Sequence, residues 1–314
     1  MKKIFFILLL FFPAILYAQE EKIALGVGDG ITLHGTLLLP EGVERPPVAL
    51  IVAGTGEMDR DGSPLNLYRH LAEDLQKEGI ATLRFDKRGV GESEFMAGKH
   101  LYEKTVLEDF TDDVRRLVSM LYNDGRFSQV VIVGHSEGAL HAKMAARDNP
   151  EVAGIVSLLG AGRRYSQVVR EQIERFGLIP DEFLPEFYGI VESLARGEYV
   201  EIAADSPWMI SYPPGRQAFW MSVFRPDPVA ELVRLAIPVM IVHGGVDVII
   251  VDADFEALAA AYPSAELFVI DDMDHMLRQT TATTIADQVV LYAIPLPNHP
   301  ALAPAIARFI NPPQ

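Results

Sequence analysis

The chain has 314 residues, 49 % of them hydrophobic and 22 % charged, a globular composition with enough apolar material for a large core. It contains no cysteine, which excludes disulfides, thiolate metal sites, a cysteine nucleophile and a lipoprotein anchor. A net charge of −16 repels phosphate backbones and argues against nucleic acid as a partner.

Residues 1–18 read as a secretory signal. Lys2 and Lys3 form a basic start, Ile4 to Tyr17 an apolar stretch, and Ala18 a small residue at a cleavage point before "QEEK". The apolar run is short of the roughly 20 residues a membrane span needs, so the mature chain is expected in the periplasm or the medium. An uncleaved N-terminal anchor is the alternative. A core this large needs no disulfides outside the cell.

Next, "KIALGVGDGITLHGTLLLP" alternates apolar and polar residues around Asp29-Gly30, the pattern of a hairpin. Its "GVGDG" opens a strand rather than a helix, so it reads as a turn and not as a dinucleotide loop. Continuous apolar runs follow at 46–54, 80–86, 129–134, 152–160, 237–245 and 265–271, suited to strands buried on both faces. Between them, "NLYRHLAEDLQKEG" and "EDFTDDVRRLVSMLYND" place apolar residues at three- and four-residue spacing, as amphipathic helices do. Strands alternating with helices predict an α/β architecture, a mostly parallel central sheet flanked by helices.

Residues 163–234 break this rhythm. They hold both tryptophans, Trp208 and Trp220, with helices expected at 165–176 and 181–196. The segment reads as a helical cap inserted between two parts of one core, 19–162 and 235–314. Most of its aromatics are expected to pack the cap itself, with a minority facing the sheet below.

"VVIVGHSEGALHA" at 130–142 sets Ser136 between Gly134 and Gly138, after a buried strand and before a helix. A turn this tight needs small flanking residues and holds the serine strained, with its Oγ above the sheet. Here the chain resembles the α/β-hydrolase fold, which implies the partner order serine, acid, histidine. Asp247 in "HGGVD", 111 residues on, and His275 in "DMDHMLR", 28 further, lie just past strand ends where ligands of open sheets collect. Asp271, Asp272 and Asp274 crowd His275, but an acid must orient the imidazole from across the site, which favours Asp247. His243 reads as a packed, hydrogen-bonded strand residue. His299 lies in a proline-rich stretch, and His135 is poorly placed to reach the neighbouring Oγ, so its removal is expected to leave most activity.

In this reading Ser136 is the nucleophile, His275 the base and Asp247 its orienter. The oxyanion needs two N–H donors, Glu137 and one from "AGTGEMDRDG", with Thr55 ahead of Gly56. The stretches "GTGEMDRDG", "LRFDKRGVGES", "GHSEGA", "FWMSVFRPDP", "HGGVD" and "DMDHMLR" together resemble bacterial serine carboxylesterases of the α/β-hydrolase superfamily, peptidase-like and exported members included. The resemblance implies hydrolysis of small or short-acyl esters with no cofactor. No metal is expected either, since His135 and His141, six apart, share no face and no metal motif exists. Val251 departs from the resemblance, since a proline often stands four residues after the acid. Rival readings are a serine peptidase of the same fold and a non-catalytic binding protein. Arg60, Arg84, Asp86 and Arg88 are expected to pair and pin loops beside the site, while Arg163 and Arg164 are expected to be solvated. A carboxylate-bearing substrate contacting these last two is the alternative.

Overall fold

The structure, a computed structural model, describes residues 19–312 apart from 29, 95–103, 178 and 293. The expected leader, 1–18, and Asp29 of the expected turn lie outside the described residues. No described helix is long and apolar enough to cross a membrane.

The hairpin is present as β1 (Gln19–Gly28) and β2 (Ile31–Leu39), paired antiparallel. Six strands follow, one at each of the apolar runs, with β5 passing the end of its run by one residue: β3 (Val48–Val52), β4 (Ala81–Phe85), β5 (Val130–His135), β6 (Gly154–Leu158), β7 (Val239–Gly244) and β8 (Glu266–Ile270). They form one eight-stranded sheet in the order β1-β2-β4-β3-β5-β6-β7-β8, parallel from β4 to β8.

The helices are α1 (Leu67–Lys77), α2 (Leu107–Asp124), α3 (Glu137–Ala146), α4 (Tyr165–Phe176), α5 (Leu184–Ala195), α6 (Gln217–Phe224), α7 (Pro228–Leu232), α8 (Asp252–Ala261), α9 (Ile285–Leu291) and α10 (Leu302–Ile310). They cover both sheet faces, and the strand period of two divides the core between them. Along β3, Val48, Leu50 and Val52 join α2 and α3 residues such as Val118 and Ala142 on one face. Ala49 and Ile51 join Leu71 and Leu75 of α1 and Ile306 of α10 on the other. This explains why the central strands read as unbroken apolar runs rather than as alternating ones.

Helices α4 to α7 occupy the connection between β6 and β7. Their aromatics form a third, separate cluster, with Phe187 against Trp208 at 4.8 Å and Tyr212 against Trp220 at 5.1 Å. Leu140 and Met144 of α3 and Leu107 of α2 join it from below, seating the cap on that end of the sheet.

Fold and site meet at one point. The chain leaves β3 for β4 on one side and β5 continues on the other, so crossovers run apart at the C-terminal ends of β3 and β5, and a crevice opens there.

Candidate active site

Ser136 follows β5 directly and begins α3. Its backbone is at φ 56°, ψ −120°, a region L-residues avoid at a cost of about 1–3 kcal/mol. The glycines allow that turn for steric reasons. A Cβ on Gly134 would stand 2.2 Å from the Gly138 carbonyl oxygen, and one on Gly138 would stand 2.2 Å from that of Val52. The Val52 carbonyl cannot readily retreat, because β3 and β5 are paired there, Val52 opposite Gly134. Gly138→Ala is therefore expected to destabilise by at least about 3 kcal/mol in chemical denaturation, beyond ordinary overpacking.

Three residues that sequence reasoning singled out meet at this turn. His275 Nε2 is 3.1 Å from Ser136 Oγ, and His275 Nδ1 is 2.7 Å from Asp247 Oδ2. The other carboxylate oxygen accepts from the backbone N–H groups of Ile249 (2.7 Å) and Ile250 (2.9 Å), which fixes the acid. Asp247 accepts at Nδ1, so the imidazole proton sits there and Nε2 is left free to accept the serine hydroxyl proton. Asp247 and His275 are both buried, and the pair is shielded from solvent screening.

Glu137 opens α3, so its N–H is one of the helix's unpaired first-turn donors, reinforced by the helix dipole. Thr55 and Gly56 lie in the turn after β3, with Gly56 at φ 95°. Gly54 approaches Ser136 so closely that a Cβ there would lie 3.1 Å from that of the serine.

His135 has a place that the sequence did not reveal. Its Nε2 faces the His275 carbonyl oxygen at 2.9 Å, so Nε2 carries the proton. Nδ1 then accepts from the Tyr68 hydroxyl (3.0 Å), which in turn accepts from the Gly54 N–H (2.7 Å). One directed chain ties the turn after β3, the strand that ends beside Ser136 and the loop that carries His275. Burial, and then the neighbouring His275, push His135 down to about 3, so it stays neutral at working pH. These contacts set a new prediction against the expectation that His135→Ala leaves most activity. The variant is expected to lower kcat about 10- to 100-fold with KM little changed, through a misplaced base loop.

The remaining charged residues sort as follows. Arg60 clasps Asp86 (3.0 and 2.5 Å) and reaches Glu92, Arg84 holds Asp61 (2.7 Å), and Arg88 clasps Asp113 (2.7 and 2.6 Å), so these residues pin the loops as expected. Arg163 is not simply solvated. It clamps the buried Asp254 at 2.7 Å and Glu171 at 2.5 Å, tying the start of the cap to α8. Arg164, more exposed, bonds the Arg225 carbonyl. His243 is buried, stacked on Phe255 and 2.8 Å from Asp252. Asp274 is taken by Arg278 and Asp272 by His299, so neither competes for His275.

Lys143 is fully buried on α3, donating to Ser157 Oγ at 3.0 Å and, more weakly, to the Ala139 carbonyl. Burial lowers its ammonium from 10.5 to about 7. The unfolded chain keeps that proton up to about 10.5 while the folded chain loses it near 7, so between these limits the unfolded state binds more protons and stability rises with pH. Thermal melts from pH 7 to 9.5 are expected to show a rise that Lys143→Met flattens.

Compared with known proteins, residues 58–279 match the sequence model of the family described as serine aminopeptidase, S33. Esterase EstD of Thermotoga maritima is 26 % identical over 254 residues, 78 % of this chain, and the chain spans only 58 % of that relative's length. An esterase of Pyrococcus furiosus superposes with a TM-score of 0.59 at 15 % identity, over 93 % of this chain and 90 % of its own. Est1E of Butyrivibrio proteoclasticus, solved with ferulic acid, gives 0.59 at 21 %, over 87 % and 97 %. A proline iminopeptidase of Mycobacterium smegmatis gives 0.57 at 11 %, over 92 % and 97 %.

Proposed function

Because the chain belongs to the serine aminopeptidase S33 family of α/β hydrolases, we propose that it is a serine hydrolase cleaving small or short-acyl carboxylic esters through an acyl-enzyme. The observation that carries this is the relay from Asp247 through His275 to Ser136, at 2.7 and 3.1 Å, on a strained turn. Ser136 Oγ attacks the ester carbonyl carbon while His275 Nε2 takes its proton, and Asp247 stabilises the imidazolium. The oxyanion is received by the Glu137 N–H and by that of Thr55, with Gly56 the second choice. His275 then protonates the departing alkoxide, and water repeats the sequence on the acyl-enzyme. No cofactor or metal enters these steps.

The esterase relatives favour an ester as substrate, while the family description keeps an aminopeptidase as the second reading. That reading needs an anchor for a substrate ammonium. Glu57 and Glu137 are the acids on the wall of the cavity beside the turn, together with the cations Lys87, Arg88 and Arg216, which disfavour it. The test is a parallel assay of purified protein on nitrophenyl butyrate and on aminoacyl anilides, with a fluorophosphonate probe for the serine. Turnover of the ester alone supports the proposal, faster turnover of the anilides replaces it, and no labelling with no turnover leaves a binding protein. Export on a leader at 1–18, to the periplasm or the medium, is part of the same proposal and rests on the Lys2-Lys3 start and the apolar run after it.

A further inference from the structure

Beside the nucleophile lies a cavity of about 190 Å³. Phe110, Phe219 and Trp220 form an aromatic wall, and Glu137 and Lys87 supply charge below it. Both charged side chains are only 8 % exposed, yet their charged atoms stand 3.5 Å apart. A tight charge-assisted hydrogen bond measures about 2.7–2.9 Å. Lys87 Nζ donates one N–H to the Gly54 carbonyl at 2.8 Å and keeps two more. His141 Nε2 lies 3.6 Å from the same carboxylate oxygen, Oε1, and, though buried, has no hydrogen-bond partner among the described residues. Burial raises a carboxyl's pKa, but Lys87 and His141 outweigh it and hold Glu137 down at about 2, so it is ionised.

A carboxylate more than nine-tenths buried therefore faces a cavity with no short hydrogen bond from any described residue. An anion entering there would meet Glu137. A cation would meet Lys87, with Arg88 and Arg216 on the same lining. A hydroxyl satisfies both sides, since it donates to the carboxylate and accepts from the ammonium, while the aromatic wall covers its carbon. We propose that this cavity is a specificity subsite for a hydroxyl group on the acyl or the alcohol part of the ester, read jointly by Glu137 and Lys87. The inference rests on the serine-hydrolase reading above. A substrate lacking the hydroxyl leaves both buried charges without that partner, which is how such sites reject analogues.

The test compares kcat/KM for two pairs, ethyl butyrate with ethyl 3-hydroxybutyrate, and ethyl butyrate with 2-hydroxyethyl butyrate. A preference for the hydroxylated member of at least about tenfold in either pair is expected. Glu137→Met is expected to remove most of that ratio, whatever it does to the common rate. The double variant Glu137→Met/Lys87→Met takes out both charges together, so no buried ion is left alone should the single variant fail to fold. No preference in either pair, or a preference that survives the variants, overturns the subsite. Fluorophosphonate labelling separates the two levels: labelled protein that turns over esters without preference sinks only the subsite, whereas unlabelled, inactive wild-type protein sinks the hydrolase reading itself.

Discussion

Ser136→Ala is expected to lower kcat for nitrophenyl butyrate by about five to six orders of magnitude and to abolish fluorophosphonate labelling. The loss is large because no second nucleophile stands on the turn. Both nitrogens of His135 are already engaged, with Tyr68 and with the His275 carbonyl. His275 Nε2 would be left facing a methyl group with no proton to take. The variant should keep roughly 10³–10⁴-fold catalysis over water, because the backbone donors that receive the oxyanion are untouched. Its melting temperature should stay close to that of the wild type, since among the described residues the Oγ makes one side-chain hydrogen bond, to His275. Near-normal turnover in the folded variant would remove Ser136 from the mechanism.

Asp247→Asn is expected to cost about 10⁴-fold in kcat, through the tautomer of the base rather than through lost packing. The Ile249 and Ile250 N–H groups need an acceptor at Oδ1, so the amide oxygen of the asparagine must stay there. Its NH₂ then faces His275 Nδ1 as a donor. The imidazole answers by moving its proton to Nε2, the nitrogen that must accept from Ser136. Asp247→Ala, which imposes no tautomer, should lose kcat without that reversal, and comparing the pH dependence of the two variants separates the causes. A loss below tenfold in Asp247→Asn would mean that another acid orients His275. Asp272 and Asp274 are poor replacements, each already committed to a cation or a histidine.

Much of this site was legible because chemistry constrains it locally. A serine between Gly134 and Gly138 after a buried strand has few structural alternatives. Asp247 and His275 each follow a strand end, where the fold delivers side chains to one crevice. The chain through Tyr68 and His135 was not legible, because its partners lie 67 and 140 positions apart and no local pattern joins them. Arg163 looked solvated for the same reason, as its buried partner Asp254 is 91 residues away. Lys87 could have been found. It stands between Asp86 and Arg88 just past a strand end, the position that singled out Asp247. The cap helix Tyr165–Phe176 was legible from its spacing, whereas the cavity beneath the cap depends on how Phe219 and Trp220 meet Phe110 on another helix.

The strand order carries a consequence for how the protein reaches its active form. The nucleophile turn needs only β3 and β5, but the base arrives on the loop after β8, the last strand of the sheet and its far edge. The hydrogen bond between Ser136 and His275 closes a span of 139 residues, with the whole cap looped out between them. Contacts that distant form late, because the entropy of closing so much chain must be met before they return anything. During refolding, helical signal should recover first and reactivity towards a fluorophosphonate last, so the reactive serine marks completion of the fold.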